Sequence, residues 1–86
     1  MNQLQLFDTV TNLHPIPSER LNLVEEEYST LDYLPKGQVG TIVQIYDHLQ
    51  EPHYLIEFAD TNGCEYAMAT LTAEEILVLH YELSLV

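Results

Sequence analysis

KGQVGTIVQIYD (Lys36–Asp47), YLIEFADTNG (Tyr54–Gly63) and CEYAMATLT (Cys64–Thr72) follow one another almost without interruption. They read as three consecutive antiparallel strands joined by turns, the centre of a small β-barrel. In the middle stretch Tyr54, Ile56 and Phe58 alternate with Leu55 and Glu57, a period of two that assigns the first set to the core. In the first stretch Val39, Val43 and Ile45 are expected on one face and Gln44 on the other. Pro35-Lys36-Gly37 and Asp60-Thr61-Asn62-Gly63 supply the turns, because Gly and Asn accept the positive φ that tight reversals need. Asp47 to Pro52 forms the polar hairpin loop between the first two strands.

Working outward, Leu6 to Leu13 mixes apolar and β-branched residues and stops at His14-Pro15-Ile16-Pro17, where the prolines remove backbone donors. This predicts a first strand ending in an extended loop. Ser18 to Pro35 is irregular. Ser18-Glu19 could cap a short helix with Leu21, Val24 and Tyr28 on one face, or LNLV could be a short strand, and a long excursion over one mouth of the barrel is favoured. After the third central strand, Thr72 caps one helical turn, Ala73-Glu74-Glu75-Ile76, with carboxylates at its positive end. Leu77 to Leu85 then alternates Leu77, Leu79, Tyr81, Leu83 and Leu85 against Val78, His80, Glu82 and Ser84, as a closing strand should. The element order predicts a mainly β fold: a single domain over residues 1–86, a small SH3-like (KOW-like) five-stranded barrel with a long loop after strand one and a helical turn before the last strand.

The chain has 86 residues, room for one modest core, and its apolar fraction of 47% argues against disorder. Fourteen acidic residues face only Arg20 and Lys36, for a formal net charge of −12. Two basic side chains cannot supply the counterion release that drives nucleic-acid binding, and the same charge disfavours anionic membranes. A basic protein or a cation is what such a surface attracts. Cys64 is the single cysteine, which excludes an intrachain disulfide and a CxxC motif and fits a reducing cytoplasm. Neither a signal-peptide pattern nor a long apolar run is present, so the protein is expected to be cytoplasmic, neither exported nor membrane-spanning.

The Gly37-Gln38-Val39-Gly40-Thr41-Ile42-Val43 stretch resembles a pattern shared by KOW-type and other SH3-like barrels, in which glycines let a strand start tightly and bend. Taken with Tyr54–Phe58, the Asn62-Gly63 turn and Tyr66–Thr72, the chain resembles the bacterial domain-of-unknown-function 4926 family from about Asp8 to Leu83. The resemblance implies an SH3-like barrel and transfers no catalytic or binding residue. It also suggests a setting beside toxin-like or defence-related genes. RNA-binding KOW barrels carry basic loops, whereas the loops here are acidic.

Candidate chemistry is sparse. His14, His48, His53 and His80 match no zinc-motif spacing, so no metal or other cofactor is expected. Cys64 lies beside Glu65, which disfavours the thiolate, and the neighbours Glu74 and Glu75 diverge on a helical turn. An enzyme is therefore not expected. The run Glu25-Glu26-Glu27, with Tyr28, Asp32, Tyr33 and Tyr46 near it or flanking other loops, combines charge with residue types enriched at interfaces. These seven are the candidate partner-binding residues, through the acidic loops Ser18–Pro35 and Asp47–Pro52. The expected function is a non-enzymatic acidic module, monomeric or weakly self-associating, that binds and masks a basic partner protein in an antitoxin-like or immunity-like way. Two rivals stand beside it: an accessory subunit of a larger assembly, supported by the apolar Leu83-Ser84-Leu85-Val86 end, and a small-ligand or metal-binding domain built on the histidine loop.

Overall fold

The computed structural model describes residues 4–24, 31–48 and 50–79. Within them lie strands β1 (Thr9–Asn12), β2 (Ile16–Pro17), β3 (Leu21–Leu23), β4 (Tyr33–Leu34), β5 (Val39–Tyr46), β6 (His53–Ala59), β7 (Glu65–Thr72) and β8 (Ile76–Val78), with 3-10 turns at Ser18–Arg20 and Ala73–Glu75. The fold is mainly β, as expected. Six strands form one sheet in the order β3-β7-β6-β5-β1-β8, and β2 and β4 form a separate two-stranded ribbon. Every pairing is antiparallel. The five strands read from the sequence are β1, β5, β6, β7 and β8. The LNL segment adds β3 to the outer side of β7, with Leu21 opposite Ala69 and Leu23 opposite Ala67, which rules out the helical option for its start. Among the described residues no ladder joins β3 to β8, so hydrogen bonding between them does not close the sheet into a barrel.

The buried apolar residues form one continuous core. Val10, Ile42, Ile56, Phe58, Ala67 and Leu71 are fully buried, with Ile16, Leu34, Tyr54, Tyr66, Ala69 and Ile76 nearly so. Each large member contributes about 1.5–3 kcal/mol by leaving water. Tyr54, Ile56 and Phe58 occupy the inner face of β6 as their alternation requires. The face assigned to β5 needs correcting. Val39 is 43% exposed, while Gly40 and Ile42 point inward. Ile42 pairs with Ile56 and Gln44 with Leu55, so Val43 is an extra residue in a β-bulge. The bulge reverses the side-chain phase and turns Ile45 inward against the core. A pattern of period two read straight through it is out of phase on one side. β8 is likewise shifted: Ile76 is buried and Val78 packs on the core, whereas Leu77 is 47% exposed. The 3-10 turn delivers the chain to β1 with Ile76 opposite Asn12, and that register sets the buried face.

The first strand is shorter than the sequence suggests. Leu6 and Phe7 are exposed in a turn where the Asp8 N–H donates to the Gln5 carbonyl, and Phe7 has φ +71°. At the other end of β1, Asn12 is the buried polar residue among the described ones, 1% exposed. Its Nδ2 donates to the carbonyls of His14 and Pro35 at 2.8 and 2.9 Å, and its Oδ1 accepts from the Gln38 N–H at 2.9 Å. One amide thus closes both ends of the 13–37 excursion.

A second clasp joins the two 3-10 turns. Arg20 Nη1 donates to Glu75 Oε2 at 2.8 Å, Nη2 to Oε1 at 3.0 Å and to the Thr70 carbonyl at 3.2 Å. Glu75 Oε1 also accepts from the Thr72 N–H at 2.9 Å, the bond by which a residue at the third position caps its own turn. These bonds hold the Glu75 carboxyl down at about 2.

Candidate acidic groove

Gly40 opposite Phe58 is the last pair of the β5–β6 ladder. From this end of the ladder one segment leads back to the Pro35–Gly37 turn and the other on into the β6–β7 hairpin. Between them lies a solvent-open groove of about 710 Å³. One wall is Leu34, Pro35 and residues 37–41 with Leu31; the other is Glu57, Ala59, Asp60 and Thr61, and Tyr66 completes the lining. The volume falls in the range of about 300–1,000 Å³ typical of binding clefts.

Local sequence explains each wall. Gly37 has φ +86°, which lets the chain reverse after Pro35 and enter β5. Gly40 is where β5 passes closest to β6: a Cβ there would sit 2.7 Å from Ile56 Cγ2 and 2.9 Å from the Glu57 carbonyl. On the other wall the Asp60 carboxylate organises the hairpin, its Oδ1 accepting from the N–H groups of Asn62 and Cys64 at 2.9 and 3.0 Å. In that turn it is Gly63, at φ +81°, that takes the positive φ expected of the Asn-Gly pair, while Asn62 does not. The Tyr66 hydroxyl donates to Gln38 Oε1 at 3.4 Å across the groove.

The polar lining is acidic. Glu57 and Asp60 carry negative charge, and no lining residue is cationic. A hydrogen bond that protonated Glu57 donates to the neighbouring Glu65 carboxylate, then desolvation and the repulsion between the two charges, raises the Glu57 pKa above the ordinary carboxylate value. The groove therefore pairs a largely apolar base with carboxylates that gain from a nearby cation.

A family model described as Domain of unknown function (DUF4926) matches residues 6–78. The chain belongs to the DUF4926 family. The match spans β1 to β8 and so includes both walls of the groove. No curated protein and no solved structure gives a significant match.

Within this DUF4926 domain the candidate partner-binding residues do not form one cluster. Glu25, Glu26, Glu27 and Tyr28 lie outside the described residues. Asp32 and Tyr33 are exposed, between the groove-lining Leu31 and Leu34, without lining it themselves. Tyr46 is half-buried at the opposite end of β5, edge-on to the His48 ring with centroids 6.4 Å apart. Tyr54 and Tyr66 are buried as core tyrosines, while Tyr81 and the Leu83–Val86 end fall outside the described residues. Glu57 and Asp60 were read only as outer-face and turn residues, and Gln38 only as part of the Gly37–Val43 stretch. The signal that could have united them is the hairpin itself: folding the chain about the Asp47–Pro52 loop sets Thr41 against Glu57. Just after that loop, at the start of β6, His53 Nδ1 lies 3.0 Å from the Glu51 carbonyl, and among the described residues no three His, Cys, Asp or Glu side chains converge as metal ligands. Cys64 is exposed at the hairpin. Among the described residues no helix is long and apolar enough to cross a membrane.

Proposed function

We propose that this chain is a non-enzymatic, cytoplasmic protein-binding module that covers a basic surface on a partner protein, in the manner of an antitoxin or immunity protein. The observation that carries the reading is the groove: an apolar base with Glu57 and Asp60 on one wall, in a chain of net charge −12. Charge of one sign around a cleft raises the local concentration and encounter rate of an oppositely charged partner. Apolar contact then slows dissociation. The exposed Asp32 and Tyr33 border the same region and extend the acidic, aromatic surface beyond the groove. Affinity capture from the host lysate at low and at moderate salt tests the reading. A basic protein retained at low salt and shed at higher salt is the expected result, and absence of any basic protein from the capture would refute it.

An accessory-subunit role is the second reading. It is favoured by the outer side of β8, which pairs with no strand among the described residues and presents Leu77 at 47% exposure. Such an edge suits strand addition by a neighbouring subunit. Capture of a multi-protein complex indifferent to salt would favour it.

A further inference from the structure

The acidic wall and the apolar base of the groove would take different parts of a guest, and the geometry points to one kind: an extended segment of a basic partner protein in which an arginine is flanked by aliphatic residues. This rests on the protein-binding reading above and names what enters the groove. The charge inventory selects the cation. Glu57 and Asp60 line the cleft without a positive residue among the lining side chains, which disfavours phosphates, carboxylates and other anions. Among the described residues the chain's own cations do not fill the site. Arg20 is bound at 2.8 Å to Glu75, and Lys36, in the turn beside the opposite wall, makes no ion pair among the described residues. Asp60 keeps Oδ2 available, since its Oδ1 takes both hairpin amides and no hydrogen bond to Oδ2 is present among the described residues.

Arginine fits better than lysine. The cleft offers acceptors of different kinds on two walls, the Glu57 and Asp60 carboxylates and the Gln38 amide oxygen. A guanidinium presents five donors in a plane and can serve several acceptors, whereas an ammonium is a compact, strongly hydrated point charge. Its positive charge would also relieve the repulsion between Glu57 and Glu65. The flanking aliphatic residues follow from the base: Leu34 and Tyr66 are fixed in the core at 2% and 7% exposure, and Val39 stands at the lip, 43% exposed. Because the groove is open to solvent, side chains of a passing backbone fill it better than a small molecule that needs enclosure.

The test is an NMR titration of the ¹⁵N-labelled full chain with the blocked pentapeptide Ala-Leu-Arg-Leu-Ala and with its counterpart carrying citrulline, the neutral isostere of arginine. Shifts confined to the amides of residues 38–41 and 57–61, with the arginine peptide bound at least about fivefold more tightly, are expected. Glu57→Gln should weaken the arginine peptide about threefold to tenfold and leave the citrulline peptide unchanged. Equal binding of both peptides, shifts located elsewhere, or no response at millimolar peptide would each overturn the inference. If the lysate capture still yields a basic protein in those cases, only the occupant is wrong; if it yields none, the protein-binding reading falls as well.

Discussion

Asn12 shows how one side chain can fix a long excursion. Its amide serves two carbonyls and one N–H from segments as far apart as His14 and Gln38. Asn12→Ala leaves those groups unpaired in a buried place, which should cost about 2–4 kcal/mol in urea unfolding. Sequence patterning marks apolar faces and gives no sign of a polar residue at the centre of a loop base, so this role was not legible. Glu75 was legible as a first-turn carboxylate, but its partner Arg20 was not, since the two are brought together only by the tertiary fold. With its pKa lowered from 4.5 to about 2, Glu75 stabilises the fold fully above the unfolded value and loses that contribution as pH falls toward 2. Because Arg20 is 42% exposed, solvent screening limits the contribution to about 1 kcal/mol. Glu75→Gln should therefore be less stable than the parent chain by that amount at neutral pH, the gap closing in acid. Glu57, whose pKa is raised, acts with the opposite sign, and comparing the two chains at each pH removes its effect.

At the scale of elements, the central three strands were readable because alternation and turn chemistry agree: Tyr54, Ile56 and Phe58 are buried, and the Asp60–Gly63 reversal joins β6 to β7. The failures in β5 and β8 are failures of phase. A bulge at Val43 and a 3-10 turn before Ile76 shift the register by mechanisms that leave no mark on the hydrophobic pattern. Gly40 was read as a glycine that lets a strand bend, whereas its main task is close approach of β5 to β6. Gly40→Ala should cost about 1–3 kcal/mol by thermal or urea unfolding, because the new Cβ meets the Glu57 backbone oxygen at 2.9 Å and the Phe58 ring at 3.0 Å. Wild-type stability in that variant would mean that β6 yields without loss. The groove was invisible in the sequence for a related reason. Its walls are separated by most of the β5–β6 hairpin, and only the pairing of Thr41 with Glu57 makes them neighbours.

At the scale of the molecule, a net charge of −12 on 86 residues sets what can approach quickly and what cannot. The run Glu25-Glu26-Glu27 adds to that long-range field wherever the partner finally docks. Replacing all three with glutamine should slow association with a basic partner and flatten its salt dependence, while changing the dissociation rate little, as measured by stopped-flow or surface plasmon resonance. Fold and charge class were therefore legible from composition and order, and the proposed docking place was not, because the groove is a property of register. The most direct test of the central claim is quantitative capture from the same lysate on two matched baits, the parent chain and a Glu57→Gln/Asp60→Asn variant that keeps the hairpin acceptor. The account predicts a basic protein held by the parent bait at low salt and depleted on the variant. Equal recovery on both baits, or a capture without any basic protein, would contradict it.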